Sequence, residues 1–262
     1  MSPDASAAAR PLPISVVMLA RDAADTIERS LRSLEDFAEV LVYDNGSTDA
    51  TPAIASRFAN VRVVEGHFDG FGPTRNRAAQ AAAHDWILNI DSDEWLTTEL
   101  RASLRMAPLS DPRLIHTFIR RNLMFGHVPR SIYGWELIHR LYHRGEVGWE
   151  GGVHESIVML DGSRLRTHKL RGELWHDPYR SVGHLFQKRW YYAQPHLRDR
   201  LKPLHPALAS LRALWRFLRC YVIQIGFVDG WRGLVISVAD AYGTFLKYSW
   251  AYAEKQKTHE PR

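Results

Sequence analysis

At 262 residues and 45% hydrophobic, the chain can bury one large core, or one core and a smaller appendage, and its composition excludes a disordered protein. A single cysteine, Cys220, excludes an internal disulfide framework and any Cys-x-x-Cys zinc site, so a reducing, cytoplasmic setting is expected. The net charge of +5 is uneven: from Leu185 onward 13 Lys or Arg stand against 5 Asp or Glu, a surplus of +8 that leaves −3 for the residues before it. Such a basic, aromatic-rich tail suits an anionic membrane surface, with a solvated helical face as the alternative, while the acidic front argues against nucleic acid as a partner.

Met1 to Leu12 has no apolar centre of the signal-peptide kind and reads as a frayed end. Ile14 to Leu19 then forms a short β-branched apolar run, as do Val40 to Tyr43, Val61 to Val64 and Trp86 to Ile90, each the pattern of a strand buried on both faces. Helical patterns lie between them. Asp25 and Glu28 resemble a capping box ahead of Ile27, Leu31 and Leu34, and Pro52 fits the first turn of a second helix with Ala50, Ile54 and Phe58 on one face. Thr74 to Ala83 supplies a third, alanine-rich helix. Strands alternating with helices predict an α/β fold, a mostly parallel sheet with helices on both faces, whose ligands bind at the carboxyl ends of the strands.

Beyond Asp91-Ser92-Asp93-Glu94, a helix near Thr98 to Met106 precedes segments at Leu114 to Arg120, Ile138 to His143 and Arg164 to Leu170 that read as edge strands. From Ser181 the pattern is helical, broken by Pro195, Pro203 and Pro206, and ends in amphipathic stretches at Leu211 to Phe227 and Leu234 to Tyr252. Cys220 to Val228, the longest uncharged apolar stretch there, falls far short of the roughly 20 residues that span a bilayer.

The predicted strand ends carry the chemistry. Asp44 opens the turn Asp44-Asn45-Gly46-Ser47-Thr48-Asp49, where a carboxylate can accept hydrogen bonds from a pyrimidine N–H or a ribose hydroxyl and Gly46 permits a tight turn. A plain turn with Ser47 or Asp49 capping the second helix is the other reading. At the next such end, Asp91 and Asp93 alternate: Asp93 suits a Mg²⁺ or Mn²⁺ ion bridging to a diphosphate and Asp91 a ribose, although Asp-x-Asp alone also occurs in ordinary surface turns. Between them, Gly70 to Asn76 runs into a helix start, a place that attracts phosphate. Arg75 there, like Arg21 past the first strand, is either a phosphate partner or a surface cation.

Taken together, Ile14-Ser15-Val16-Val17 with Ala20-Arg21, the Asp44 to Asp49 turn, Gly72 to Asn76 and Asp91 to Glu94 resemble, in order, the family-2 inverting glycosyltransferases of the GT-A fold. More narrowly, Pro129-Arg130, His139 to Gly145, Val153-His154-Glu155, Trp175-His176, Trp215 to Leu218, Gly226 to Gly230 and Phe245 to Tyr248 resemble the lipopolysaccharide core β-1,4-glucosyltransferase subfamily. Tyr133 to Leu137 departs from it, where a longer Gly-Trp-Tyr-Pro-Asp-like segment belongs.

The resemblance implies a donor half at 12–110 and an acceptor half at 111–180, with a basic helical region at 181–262 that associates with membrane. It implies a UDP-sugar donor held by Ala20, Arg21, Asp44, Ser47, Arg75 and Asp91, and a divalent cation, Mg²⁺ or Mn²⁺, on Asp93 with His176 completing the shell. Glu155 is then the base that deprotonates the acceptor, and His154 orients Glu155 or the acceptor. The implied acceptor is a lipopolysaccharide core or related glycolipid at the cytoplasmic face of the inner membrane. Transfer to a polyprenyl phosphate, or nucleotide-sugar binding without turnover, are the alternatives. Trp149 and Trp175 are either sugar-stacking or core residues.

Overall fold

A computed structural model describes residues 11–151, 155–194 and 202–257. The chain divides into two compact units, the first running to Arg120 and resuming over Leu137–Trp175, the second formed by Arg121–Glu136 and by the residues from His176 onward.

In the first unit, β1 (Leu12–Ala20), β2 (Phe37–Asp44), β3 (Val61–Glu65) and β4 (Trp86–Asn89) are the four apolar runs, linked by α1 (Ile27–Arg32), α2 (Thr51–Ala55) and α3 (Phe71–Gln80). β1 pairs in parallel with β2 on one side and β4 on the other, and β2 pairs in parallel with β3. Successive side chains of a strand point to opposite faces, and β1 divides accordingly. Ile14, Val16 and Met18 join Ile27 and Leu31 of α1 in one core, while Val17 and Leu19 join Ala78 and Ala79 of α3 in the other. A strand buried on both sides must be apolar throughout, which is why these runs do not alternate.

The remaining elements of the sheet are β5 (Glu94–Leu96), β6 (Leu114–Asn122), β7 (Trp135–His143) and β10 (Arg166–His176), with α4 (Thr98–Arg105) following β5. The order β3-β2-β1-β4-β7-β6-β10-β5 shows that the three segments expected at edges lie inside the sheet, whose edges are β3 and β5. β7 enters antiparallel beside β4, so the sheet is mixed beyond its parallel half. A separate antiparallel hairpin joins β8 (Val147–Glu150) to β9 (Ser156–Met159).

Two helix starts differ from expectation. Thr26 rather than Asp25 stands at the N-cap of α1 and makes no side-chain capping bond; its hydroxyl and the N–H groups of Thr26 and Ile27 all donate to the Ala23 carbonyl. Helix α3 begins a turn early, at Phe71, because Pro73 lies in a first turn whose N–H groups have no helical partner anyway. Gly70 before it has φ 108°, a backbone region open to glycine.

The second unit holds α5 (Val182–Tyr192), α6 (Pro206–Leu218) and α7 (Gly230–Lys257), with a π-helical turn at Arg219–Ile223 after α6. Asp240 of α7 fastens all three helices, its two oxygens lying 2.6 Å from Arg189 of α5 and 2.7 Å from Arg216 of α6. Among the described residues no single helix is long and apolar enough to cross a membrane. Pro206–Ile223 and Gly226–Lys257 meet that test only as a pair, bent by 71°. The bend follows from the backbone: Ile225 sits at φ 52°, and Gly233 lies so close to Gly226 that a Cβ would come within 1.8 Å of its carbonyl oxygen.

Candidate active site

The parallel strands deliver their carboxyl ends to one edge. Ala20 at the tip of β1 is level with Asp44 at the tip of β2, and β4 lies on the other side of β1. Asp44 and Asp91, just past β4, therefore straddle β1, about two strand spacings or ~10 Å apart.

Asp44 is 3% exposed. It accepts from the Ser47 N–H at 3.0 Å and from the Ser47 hydroxyl, while Ser47 Oγ accepts from the Asp22 N–H at 3.0 Å. Asp22 Oδ1 in turn accepts from the Thr48 N–H at 2.8 Å. The loop after β1, carrying exposed Arg21, and the loop after β2 are thus stitched into one rim, with Gly46 at φ 84° making the turn. The capping alternative also holds in part: Asp49 accepts from the Thr51 N–H at 2.9 Å, although Ala50 occupies the N-cap itself.

Asp91 anchors a buried ion network. Its oxygens lie 2.8 Å from Arg75 and 3.0 Å from Arg140, and its N–H donates to Glu94 at 2.9 Å. Glu94, fully buried, also meets Arg120 at 2.9 Å and Arg140 at 3.4 Å. Burial alone would raise the Asp91 pKa, but Arg75 and Arg140 outweigh it and hold the carboxyl well below its ordinary value. Arg75 is accordingly no surface cation. It is 2% exposed, paired with Asp91, 5.3 Å from the Trp149 ring, and its Nε and Nη1 have no hydrogen-bond partner. Trp149 is a core residue, whereas Trp175 stacks on Trp95 at 6.2 Å, with Arg29 over the Trp95 ring.

Glu155 lies 3.6 Å from Arg75 Nε, so one guanidinium stands between Asp91 and Glu155. Two residues of α3 hold the segment leading to Glu155. The Asn76 amide donates to the Trp149 carbonyl at 2.8 Å and accepts from its N–H at 2.9 Å, replacing a strand partner. Gly72 donates its N–H to the Gly151 carbonyl at 3.2 Å, and a Cβ there would approach that oxygen to 2.4 Å. His154 lies outside the described residues.

Asp93 is half-buried in the turn before β5. His176 belongs to the second unit, where its Nδ1 lies 2.8 Å from Asn122 Oδ1. The described residues contain no group of three or more His, Cys, Asp or Glu able to hold a metal. A cation here fits only the Mg²⁺ pattern of one or two carboxylates completed by substrate phosphate and water.

Sequence reasoning missed Glu94, Arg120 and the pairing role of Arg140. The arginines come from β6 and β7, remote in sequence, and the only hint was the charged character of the Asp91 to Glu94 turn. Replacing Asp91 by Asn should leave Arg75 and Arg140 buried with weakened partners and destabilise the fold by about 3 kcal/mol. Because the folded pKa is depressed, the stabilisation is complete above the ordinary value of 3.8 and fades only as pH falls below it toward the folded value. Urea unfolding of wild type and variant should therefore differ fully at pH 7 and converge in strong acid. Equal stability at pH 7 would refute the network's role.

Residues 15–149, just over half the chain, match the family model described as Glycosyl transferase family 2. A protein of Rickettsia bellii named "Uncharacterized glycosyltransferase" is 27% identical over 250 residues, covering 89% of this chain and 84% of that protein. The lipopolysaccharide core biosynthesis glycosyltransferase LpsC of Rhizobium meliloti is 28% identical over 156 residues, covering 56% of this chain and 57% of its own. Of solved structures, S. aureus TarS 1–349 in complex with UDP-GlcNAc is 15% identical with a TM-score of 0.44, covering 95% of this chain and 93% of that one.

Proposed function

The chain belongs to glycosyl transferase family 2 and is a glycosyltransferase of GT-A-like fold, and from that premise we propose that it performs an inverting transfer of a sugar, glucose from a UDP-sugar, onto a lipopolysaccharide core or related envelope glycolipid. The placement of Asp44 and Asp91 on either side of the β1 tip carries the donor side of this reading, since it sets two carboxylates at the carboxyl ends of parallel strands, where such sheets bind nucleotides. The LpsC relative, named for lipopolysaccharide core biosynthesis, supports the acceptor class.

In this reading Asp44 receives the base or ribose of the donor, with Ser47 fixing its carboxylate and Ala20 and Arg21 closing the rim. Asp91, kept ionised by Arg75 and Arg140, completes the donor floor. Asp93 would hold a divalent cation, Mg²⁺ or Mn²⁺, which would supply positive charge for the leaving diphosphate. Glu155 takes the proton of the acceptor hydroxyl as its oxygen bonds to the anomeric carbon and the bond from that carbon to the diphosphate oxygen breaks, a single displacement that inverts the centre. Arg75 places Glu155 at a fixed distance from Asp91, joining acceptor and donor sides.

The acceptor is lipid-borne and the protein is peripheral on the cytoplasmic face of the inner membrane. Supporting this, α6 turns Leu211, Leu214 and Trp215 to the exterior beside its arginines. Purified protein should release nucleoside diphosphate slowly from UDP-glucose with Mg²⁺ or Mn²⁺, and faster with lipid A-core, whose mass should rise by one hexose. No release from any nucleotide sugar would defeat the transferase reading, and product only on polyprenyl phosphate would defeat the acceptor.

A further inference from the structure

The helical unit contains a cavity of about 400 Å³ that the transfer reaction does not use. Among the described residues its lining includes the cations Arg189, Arg212, Arg216, Arg219 and Lys247 and a single carboxylate, Asp240. Asp240 spends both oxygens on Arg189 and Arg216, which leaves the walls with a large surplus of positive charge. Like charges held this close repel one another and stabilise the fold less than they would with an anion between them. Guanidinium groups in that number match the oxygens of a phosphate, which accepts several charge-assisted hydrogen bonds at once. Part of the wall is held in place beforehand: Arg212 donates to the Tyr248 hydroxyl at 3.2 Å and lies 5.2 Å from its ring centre, and Lys247 lies 4.8 Å from the same centre.

The spacing along α6 indicates what carries the phosphate. Arg212, Arg216 and Arg219 recur at intervals of four and three and form a cationic stripe. Leu211, Leu214, Trp215 and Leu218 recur in the same way beside it, at 63, 56, 58 and 40% exposure. An exposed apolar stripe bordering a cationic cavity is complementary to an amphiphile whose charged group enters the cavity and whose chains lie along the helix. A volume near 400 Å³ also exceeds what a bare phosphate occupies, since one water takes about 30 Å³ of liquid. We propose that this cavity binds the phosphate of an anionic membrane phospholipid, with its acyl chains against the Leu211 to Leu218 face of α6. The proposal rests on the reading of a membrane-peripheral protein, but its test contains no sugar donor, so failure of binding and failure of transfer are separate results.

The full chain is titrated with dihexanoyl phosphatidic acid below its micelle concentration, with glycerol 3-phosphate and with inorganic phosphate. It is also sedimented with phosphatidylcholine vesicles with and without about one-fifth phosphatidic acid. Arg212→Gln combined with Arg219→Gln should weaken phosphatidic acid binding at least tenfold, since charge-assisted bonds are lost. Lys255→Gln with Lys257→Gln, an equal charge change outside the cavity lining, should leave binding within about twofold. Melting temperatures within a degree or two of wild type verify that both double variants fold. The lipid should outbind glycerol 3-phosphate at least tenfold. Equal loss in both double variants, or no binding by the wild type, overturns the cavity, and soluble phosphates binding as tightly as the lipid overturn its lipid source.

Discussion

Asp93→Asn should lower kcat by roughly three orders of magnitude in the presence of Mn²⁺. An amide cannot offer a hard divalent cation the charge of a carboxylate, and the charge stabilisation a metal supplies at a leaving group is several kcal/mol. At about 1.4 kcal/mol for each factor of ten, that difference corresponds to roughly a thousandfold in rate. The contrast with Asp91 is diagnostic. Asp91 compensates two arginines that are themselves nearly buried, so its replacement reads out in stability, whereas half-buried Asp93 should read out in turnover. Steady-state donor hydrolysis over a range of Mn²⁺, beside thermal unfolding of the same preparations, separates the two effects. Turnover within a fewfold of wild type would remove Asp93 from the cation site.

The parallel half of the sheet was readable because β1, β2 and β4 are buried along most of their length and so are mostly apolar, while the edge strand β3 keeps a run of valines between exposed Arg62 and Glu65. That same fact located Asp44 and Asp91, since the first polar residue after such a run marks the strand end. The rest depended on partners far away in the chain. Leu114 to Arg120 and Ile138 to His143 carry Arg and His among their apolar residues, which reads as an edge, yet β6 and β7 lie inside the sheet and there supply Arg120 and Arg140 to Asp91 and Glu94. A charged residue in an interior strand is legible only once its counter-charge is known. Likewise the β8–β9 hairpin has strands of four residues each, too short for a periodic signal, and Asn76 of α3 holds it from outside. The bend after α6 follows from the left-handed Ile225 and the Gly226 to Gly233 contact, and no proline marks it.

Glu155→Gln should reduce transfer by about 10²- to 10⁴-fold, the usual loss on removing a general base, with the dissociation constant for UDP changing little. The substitution keeps the shape of the side chain and removes its charge, so the acceptor hydroxyl still finds a hydrogen-bond acceptor but no group able to take its proton. Arg75 loses a carboxylate 3.6 Å away and keeps Asp91 at 2.8 Å, so the buried guanidinium remains compensated and the fold should persist. The hairpin is secured independently through Asn76 and Gly72, which bond the backbone of Trp149 and Gly151. Slow donor hydrolysis should also survive better than transfer, because water reacts without an oriented acceptor hydroxyl. If UDP affinity falls with turnover instead, the Asp91–Arg75–Glu155 chain of charges acts as a single donor-side unit and the base must lie elsewhere on the acceptor side.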